Sequence, residues 1–435
     1  MQSLILLDFR TVVLCAALVA TSEVVLAHDA ASQSGTSIVE SWWSVGDEPI
    51  EPLRVPLSGE ITTMTQGQRL WTMTICGLAA AAFLLRTPEP LVGQTPTNQV
   101  PSDYVVNDSH FHLTNYIQEG TDIHEFLRIM GTKVGRVALF GIPLQQTWAY
   151  GNTGDYAPTY YLQTDAPLYY YSFTDAFIAK SYLSLTKEEQ ARFDPMITGF
   201  NPADMYAVDH IRRVLQTFPG VFSGIGEFTI HKEFVSAKVA GDTASLTNPA
   251  LDRLLDFAGE VGLVVLLHND IDVPFAKPGQ EPYLMVQLGE LFRRHPKTTI
   301  IWAHSGLGRV VRPVKDQLAR LDPLLWSPDL NHVYIDISWD ETAKYPLAMP
   351  EFTQHLADVI NRHPDRFLFG TDEVAPTDQA SYLKVYDLYA PLFAKLTPSA
   401  SEQVRKGNYQ RLFDEARKRV RAWETANVQG GARRP

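Results

Sequence analysis

A (β/α)8 barrel of the α/β class, standing as one domain behind an N-terminal leader, is the fold this sequence predicts. Three observations predict it. Past Tyr104, short apolar β-branched runs alternate with longer helix-periodic stretches, the pattern of βα units around a parallel sheet. The runs number eight, the count that closes a barrel. One device also recurs at the helix ends: Phe218-Pro219-Gly220, Arg294-His295-Pro296 and Arg362-His363-Pro364 each put a proline where a helix must stop and turn into a strand. A doubly wound open sheet shares the alternation but announces itself by a glycine-rich phosphate turn after its first strand. Here that place reads Asp108-Ser109-His110-Phe111-His112.

The strands are expected in this order. Residues 104–112 (YVVNDSHFH) and 134–141 (VGRVALFG) open the series. Residues 193–200 (FDPMITGF) form the third, and 221–228 (VFSGIGEF) follow the Phe218-Pro219-Gly220 stop. The fifth, 263–268 (LVVLLH), is a continuous apolar run, as a strand buried on both faces requires. Residues 298–304 (TTIIWAH) and 366–372 (RFLFGTD) follow the two Arg-His-Pro stops, with 333–338 (VYIDIS) between them. His295 and His363 are accordingly read as helix-end residues, not ligands.

The leader is unusual. Residues 11–27 (TVVLCAALVATSEVVLA) follow Arg10 and end in Val25-Leu26-Ala27, an export signal with its small-residue cleavage site. A second apolar segment, 70–85, lies between Arg69 and Arg86 and is shorter than the roughly 20 residues a bilayer span needs. It reads as a second signal core with Met64 as its start, or as a buried helix or membrane anchor. The expected organisation is a signal-like segment at 1–27, a leader and linker at 28–103, the barrel at 104–425 and a flexible tail at 426–435. Either signal places the barrel in the periplasm or outside the cell.

Composition is that of an ordinary globular protein, with 45% hydrophobic and 20% charged residues over 435. A net charge of −12 without a dense basic run excludes an electrostatic footprint for nucleic acid. A small molecule is the expected partner, with self-association left open. The two cysteines, Cys15 and Cys76, both lie in the leader. A metal in the barrel would therefore be held by histidines and carboxylates.

Functional groups of a barrel gather at the C-terminal ends of its strands. There the expected strands carry His110 and His112, Glu227, His268, His304 and Asp372. His110 and His112, two apart on a strand, share a face, so two imidazoles can meet one ion. A lone pair of this kind is weak evidence, and a histidine after an apolar run is as readily a hydrogen-bonded core residue. Six such residues falling at five strand ends make a metal centre.

Asp108-Ser109-His110-Phe111-His112, Gly224-Ile225-Gly226-Glu227, His268, Ala303-His304-Ser305-Gly306 and Phe369-Gly370-Thr371-Asp372 together resemble the amidohydrolase superfamily, in particular its amidohydrolase-related branch. Gly407-Asn408 with Arg411-Leu412-Phe413 resembles that family's closing helix, so the resemblance spans about 104–413. It implies a metal-dependent enzyme in which His110, His112, His268 and Asp372 hold one divalent ion, zinc by expectation, with a position open for water. Asp372 would serve as ligand and base, and His304 would orient water or polarise the substrate carbonyl. Glu227 would be a hydrogen-bonding support or a bridge between two ions, and in the second case His304 would bind the second ion.

The implied reaction is hydrolysis of a small ester, lactone or amide. Non-oxidative decarboxylation of a small aromatic or semialdehyde-type carboxylate is the alternative, and a barrel without activity the third reading. The long loop 148–173, crowded with Tyr160, Tyr161, Tyr169, Tyr170 and Tyr171, is expected as an aromatic lid or a subunit contact. Asp336 and Trp339 are candidates for the pocket or for ordinary strand-end packing.

Overall fold

The computed structural model describes residues 100–147, 166–241, 244–277 and 280–428. The signal-like segment, the apolar segment 70–85, Tyr160, Tyr161 and the end of the tail lie outside these residues. Among the described residues no helix is long and apolar enough to cross a membrane.

All eight expected strands form. They are β1 (Val106–Thr114), β2 (Val134–Gly141), β5 (Phe193–Ile197), β6 (Gly224–His231), β7 (Val264–Asn269), β8 (Ile300–Trp302), β9 (Val333–Ile337) and β10 (Phe367–Phe369). They pair in parallel in the order β1-β2-β5-β6-β7-β8-β9-β10. Just past β10 the chain forms β11 (Glu373–Val374), which pairs in parallel with β1 and joins the last strand to the first. A barrel has no open edge, so its strands can be apolar on both faces without exposing unpaired backbone.

Alternate residues divide between two cores. Ala138, Phe140, Met196, Leu266, Ile301 and Leu368 fill the barrel interior, while Val137, Leu139, Ile197, Val265, Leu267 and Ile300 pack outward under the helices. The helix Asn408–Asn427 stops one end of the barrel: Tyr409, Leu412, Phe413 and Ala416, spaced as one helical face, join the interior core. Asn408 donates to the Phe367 and Pro364 carbonyls at 2.8 Å and fixes that helix against β10. Beside it the buried Asp194 of β5 accepts from Arg136 at 2.8 Å, from Tyr409 Oη at 2.8 Å and from Arg417. The plug lies at the N-terminal end of the strands, leaving the opposite end for chemistry.

The proline stops act as expected. Phe218, His295 and His363 each cap a helix with ψ near +55 to +59, outside the helical range. The two histidine rings reach across to the helix of an earlier unit: His295 bonds Asp252 at 2.7 Å and Asp256 at 2.9 Å on the helix Pro249–Val261, and His363 bonds Asp322 at 3.0 Å on the helix Gln317–Trp326.

Three features differ from the sequence expectation. Strand β6 runs through His231, three residues past the expected end at Phe228. Strands β8 and β10 stop before His304 and Asp372, which stand just beyond them. The loop after β2 contributes a short antiparallel pair, β3 (Leu144–Gln146) with β4 (Leu168–Tyr170), so Tyr169 and Tyr170 are strand residues beside the barrel mouth.

Candidate metal centre

Each strand end delivers one or two side chains to a shared buried space. His110 and His112 point inward from β1, both at 2% exposure or less. Asp372 arrives from the far side of the barrel seam, where its backbone N–H donates to the His110 carbonyl at 2.7 Å. That approach requires Gly370: a Cβ there would lie 2.6 Å from the His110 Cβ. Asp372, His304 and Trp339 all have positive φ, at +54°, +55° and +75°. Non-glycine residues tolerate that region at a cost, and such costs concentrate where a side chain must be aimed.

Two groups of potential ligands result. His110, His112, Glu227 and Asp372 converge in one, and Glu227, His268 and His304 in another. Asp372 Oδ1 lies 3.1 Å from His110 Nε2 and 3.0 Å from His112 Nε2. Glu227 Oε2 lies 3.2 Å from His112 Nε2 and 3.8 Å from His110 Nε2. His268 stands with Glu227 Oε1, 2.5 Å from its Nδ1, while its Nε2 faces Asp270 at 3.1 Å. His304 Nε2 is 3.8 Å from both Glu227 Oε1 and Asp372 Oδ2.

The partners behind the histidines set their protons. Asp336 Oδ2 accepts from His110 Nδ1 at 2.8 Å, and Ser338 Oγ, donating to Asp336 at 2.6 Å, accepts from His304 Nδ1 at 2.8 Å. With Nδ1 carrying the hydrogen, Nε2 of each ring turns its lone pair toward Glu227 and Asp372. Both Nε2 atoms are buried without a hydrogen-bond partner.

Charge makes the same point. Glu227, Asp270 and Asp336 are buried carboxylates, the Asp372 side chain is only 7% exposed, and Lys232 stands 2.9 Å from Glu227 as a permanent cation. Burial alone would raise the Glu227 and Asp372 carboxyls, but Lys232 and the ring of His110 hold them well below their ordinary values. Burial opposes a charged His110, yet Asp372 and Asp336 outweigh it and raise its pKa well above normal, so these carboxylates draw a positive charge, proton or metal ion, to its Nε2. His304 moves down, because burial dominates there. Buried negative charge in such excess calls for a cation. Orphaned imidazole nitrogens beside carboxylate oxygens are the donor set of a divalent transition metal, so the residues fit the ion.

A cavity of about 160 Å³ reaches the site, walled by His112, Glu227 and Asp372 below and by Tyr116, Ile142 and Leu144 above. Lys232 and Arg309 stand in its wall, 5.4 and 5.2 Å from the Trp339 ring.

The six residues expected from the sequence thus come together at one end of the barrel. Asp336, which could have been mere packing, is buried behind His110 and His304. Lys232, Ser338 and Asp270 were not singled out from the sequence. Ser338 and Asp270 carried one signal, standing two residues from Asp336 and His268.

The amidohydrolase family model matches residues 108–414. The chain belongs to that family, and it is an enzyme of the metal-dependent amidohydrolase type. No curated protein matches it. Solved structures similar to it include an amidohydrolase from Burkholderia multivorans with bound zinc, at 14% identity and a TM-score of 0.45, covering 71% of this chain and 99% of that one. An uncharacterised TIM-barrel protein from Bordetella bronchiseptica is similar at 13% identity and a TM-score of 0.43, covering 72% and 99%. So is 2,6-dihydroxybenzoate decarboxylase from Rhizobium, at 14% identity and a TM-score of 0.40, covering 72% and 99%.

Proposed function

We propose that this chain is a hydrolase that uses one divalent ion, zinc by preference, to direct water onto a small ester, lactone or amide. The observation that carries the reading is the convergence of His110, His112, Glu227 and Asp372 around unpartnered imidazole nitrogen. Those four residues would hold the ion. The family resemblance assigns His268 to the same ion, but its contacts with Glu227 and Asp270 favour a supporting place.

When bound, the ion supplies Lewis acidity, lowering the pKa of water at its open position and polarising a carbonyl oxygen. Asp372 presents Oδ1 to the histidines and turns Oδ2 toward His304. Oδ2 is therefore the atom that takes the proton of the attacking water and passes it to the leaving group. His304, held through Nδ1 by Ser338, keeps Nε2 aimed into the same space to orient the water or the scissile carbonyl. The small cavity suits a compact substrate. Export through the signal-like residues 11–27 or through a second signal core at 70–85, anchoring through 70–85, and self-association are further proposals from sequence.

Screening the metal-loaded enzyme against ester, lactone, amide and aromatic carboxylate panels tests the reading, with Asp372→Asn alongside. Turnover of an ester, lactone or amide that the variant loses supports it. Release of carbon dioxide from a carboxylate, with no hydrolysis, would establish decarboxylation instead.

A further inference from the structure

The two oxygens of Glu227 keep different company. Oε2 faces His112 and His110 on the Asp372 side. Oε1 faces His268 Nδ1 at 2.5 Å and His304 Nε2 at 3.8 Å, and Lys232 Nζ donates to it at 2.9 Å. Glu227, His268 and His304 thereby make a second converging set of donors that shares one carboxylate with the first. A carboxylate shared in this way can serve two ions, one on each oxygen. Here an ammonium already stands on the second oxygen.

That ammonium has little freedom to leave. Lys232 is only 8% exposed and follows directly on the end of β6. The next residue is pinned on both sides: the Glu233 N–H donates to Asp270 Oδ2 at 2.5 Å, and its carboxylate accepts from the backbone N–H groups of Arg309 and Val310. Away from Glu227 the ammonium would keep the face of Trp339, 5.4 Å from its ring centroid, a weaker partner than a carboxylate. A divalent ion on Oε1 would sit against this fixed positive charge in a site of low dielectric.

We infer that Lys232 is a built-in cation that keeps the second position closed, so that the wild-type site takes one tightly held divalent ion and His304 Nε2 stays available to substrate. This rests on the metal centre proposed above. The ion count is then set by one side chain that is not itself a ligand.

The test is equilibrium dialysis of the whole chain against zinc and manganese at matched free concentrations, with elemental analysis and manganese EPR. Wild type and Lys232→Arg should bind one ion and give the spectrum of isolated manganese. Lys232→Met should bind two, the second at least tenfold tighter than in wild type, with an exchange-coupled spectrum. The double variant Lys232→Met/His304→Ala should return to one. Circular dichroism verifies folding, and Lys232→Gln replaces the methionine variant if that one does not fold. Two ions in wild type, or one in a folded charge-free variant, overturns the inference and leaves the metal centre standing. No ion in any protein removes the centre itself, a different result from equal counts of one.

Discussion

Asp336 Oδ2 accepts a hydrogen bond from His110 Nδ1 at 2.8 Å, while its Oδ1 accepts from the backbone N–H of His304 at 2.8 Å. One buried carboxylate on β9 therefore fixes the tautomer of a ligand on β1 and the position of a catalytic candidate beyond β8. Its own pKa is kept down against burial by the charge of His110.

Asp336→Asn keeps the shape but lets an amide N–H face the ring nitrogen, which favours the wrong tautomer. Metal affinity should fall about 10–100-fold, as for other carboxylates behind metal-binding histidines. Competition with a chelator measures it, and unchanged affinity would show that Asp336 only packs.

Gly370→Ala places a methyl group 2.6 Å from the His110 Cβ. The barrel seam must open or His110 must shift, at a cost of about 1–3 kcal/mol. Urea denaturation with and without metal should show a stability loss that is larger with metal than without. Equal losses would mean that the seam yields without moving the ligand.

Asp194 ties β5 to the helix that plugs the barrel. Asp194→Asn leaves Arg136 only the solvent-exposed Asp414, and the loss should be at most about 3–5 kcal/mol at neutral pH. Burial tends to raise the Asp194 pKa, but Arg136 and Arg417 outweigh it and hold the pKa below 3.8 in the folded state. Its contribution is therefore fully present above the unfolded pKa and is lost as pH falls through the lower folded value. Denaturation curves of wild type and variant should converge only below about pH 4. Convergence already at pH 6 would assign the coupling to another group.

Phe413 is fully buried in the barrel core among Tyr409 and the inward residues of the strands. Phe413→Ala should cost about 3–5 kcal/mol while leaving metal binding at the opposite end intact. A parallel fall in metal affinity in the folded variant would mean that the two ends are coupled.

The sequence carried the barrel well, because each strand is a local apolar run and each Arg-His-Pro stop acts through its own backbone. It also carried the placement of the candidate site residues at one end of the barrel, since HxH on one strand face depends on local period alone. What it did not carry is tertiary. His304 and Asp372 stand past their strands in left-handed backbone, which no local sequence pattern marks. The β3–β4 pair joins segments separated by a long loop, and no local pattern marks it. Lys232 looks like an ordinary charged loop residue until the fold buries it against Glu227. Asp336 is visible in the strand, but its two partners come from other strands.

The most direct measurement is diffraction from zinc-soaked crystals on both sides of the zinc absorption edge. The account requires an anomalous peak about 2.0–2.2 Å from His110 Nε2, His112 Nε2 and carboxylate oxygens of Asp372 and Glu227. A site without a peak, or zinc bound only elsewhere on the chain, would contradict it.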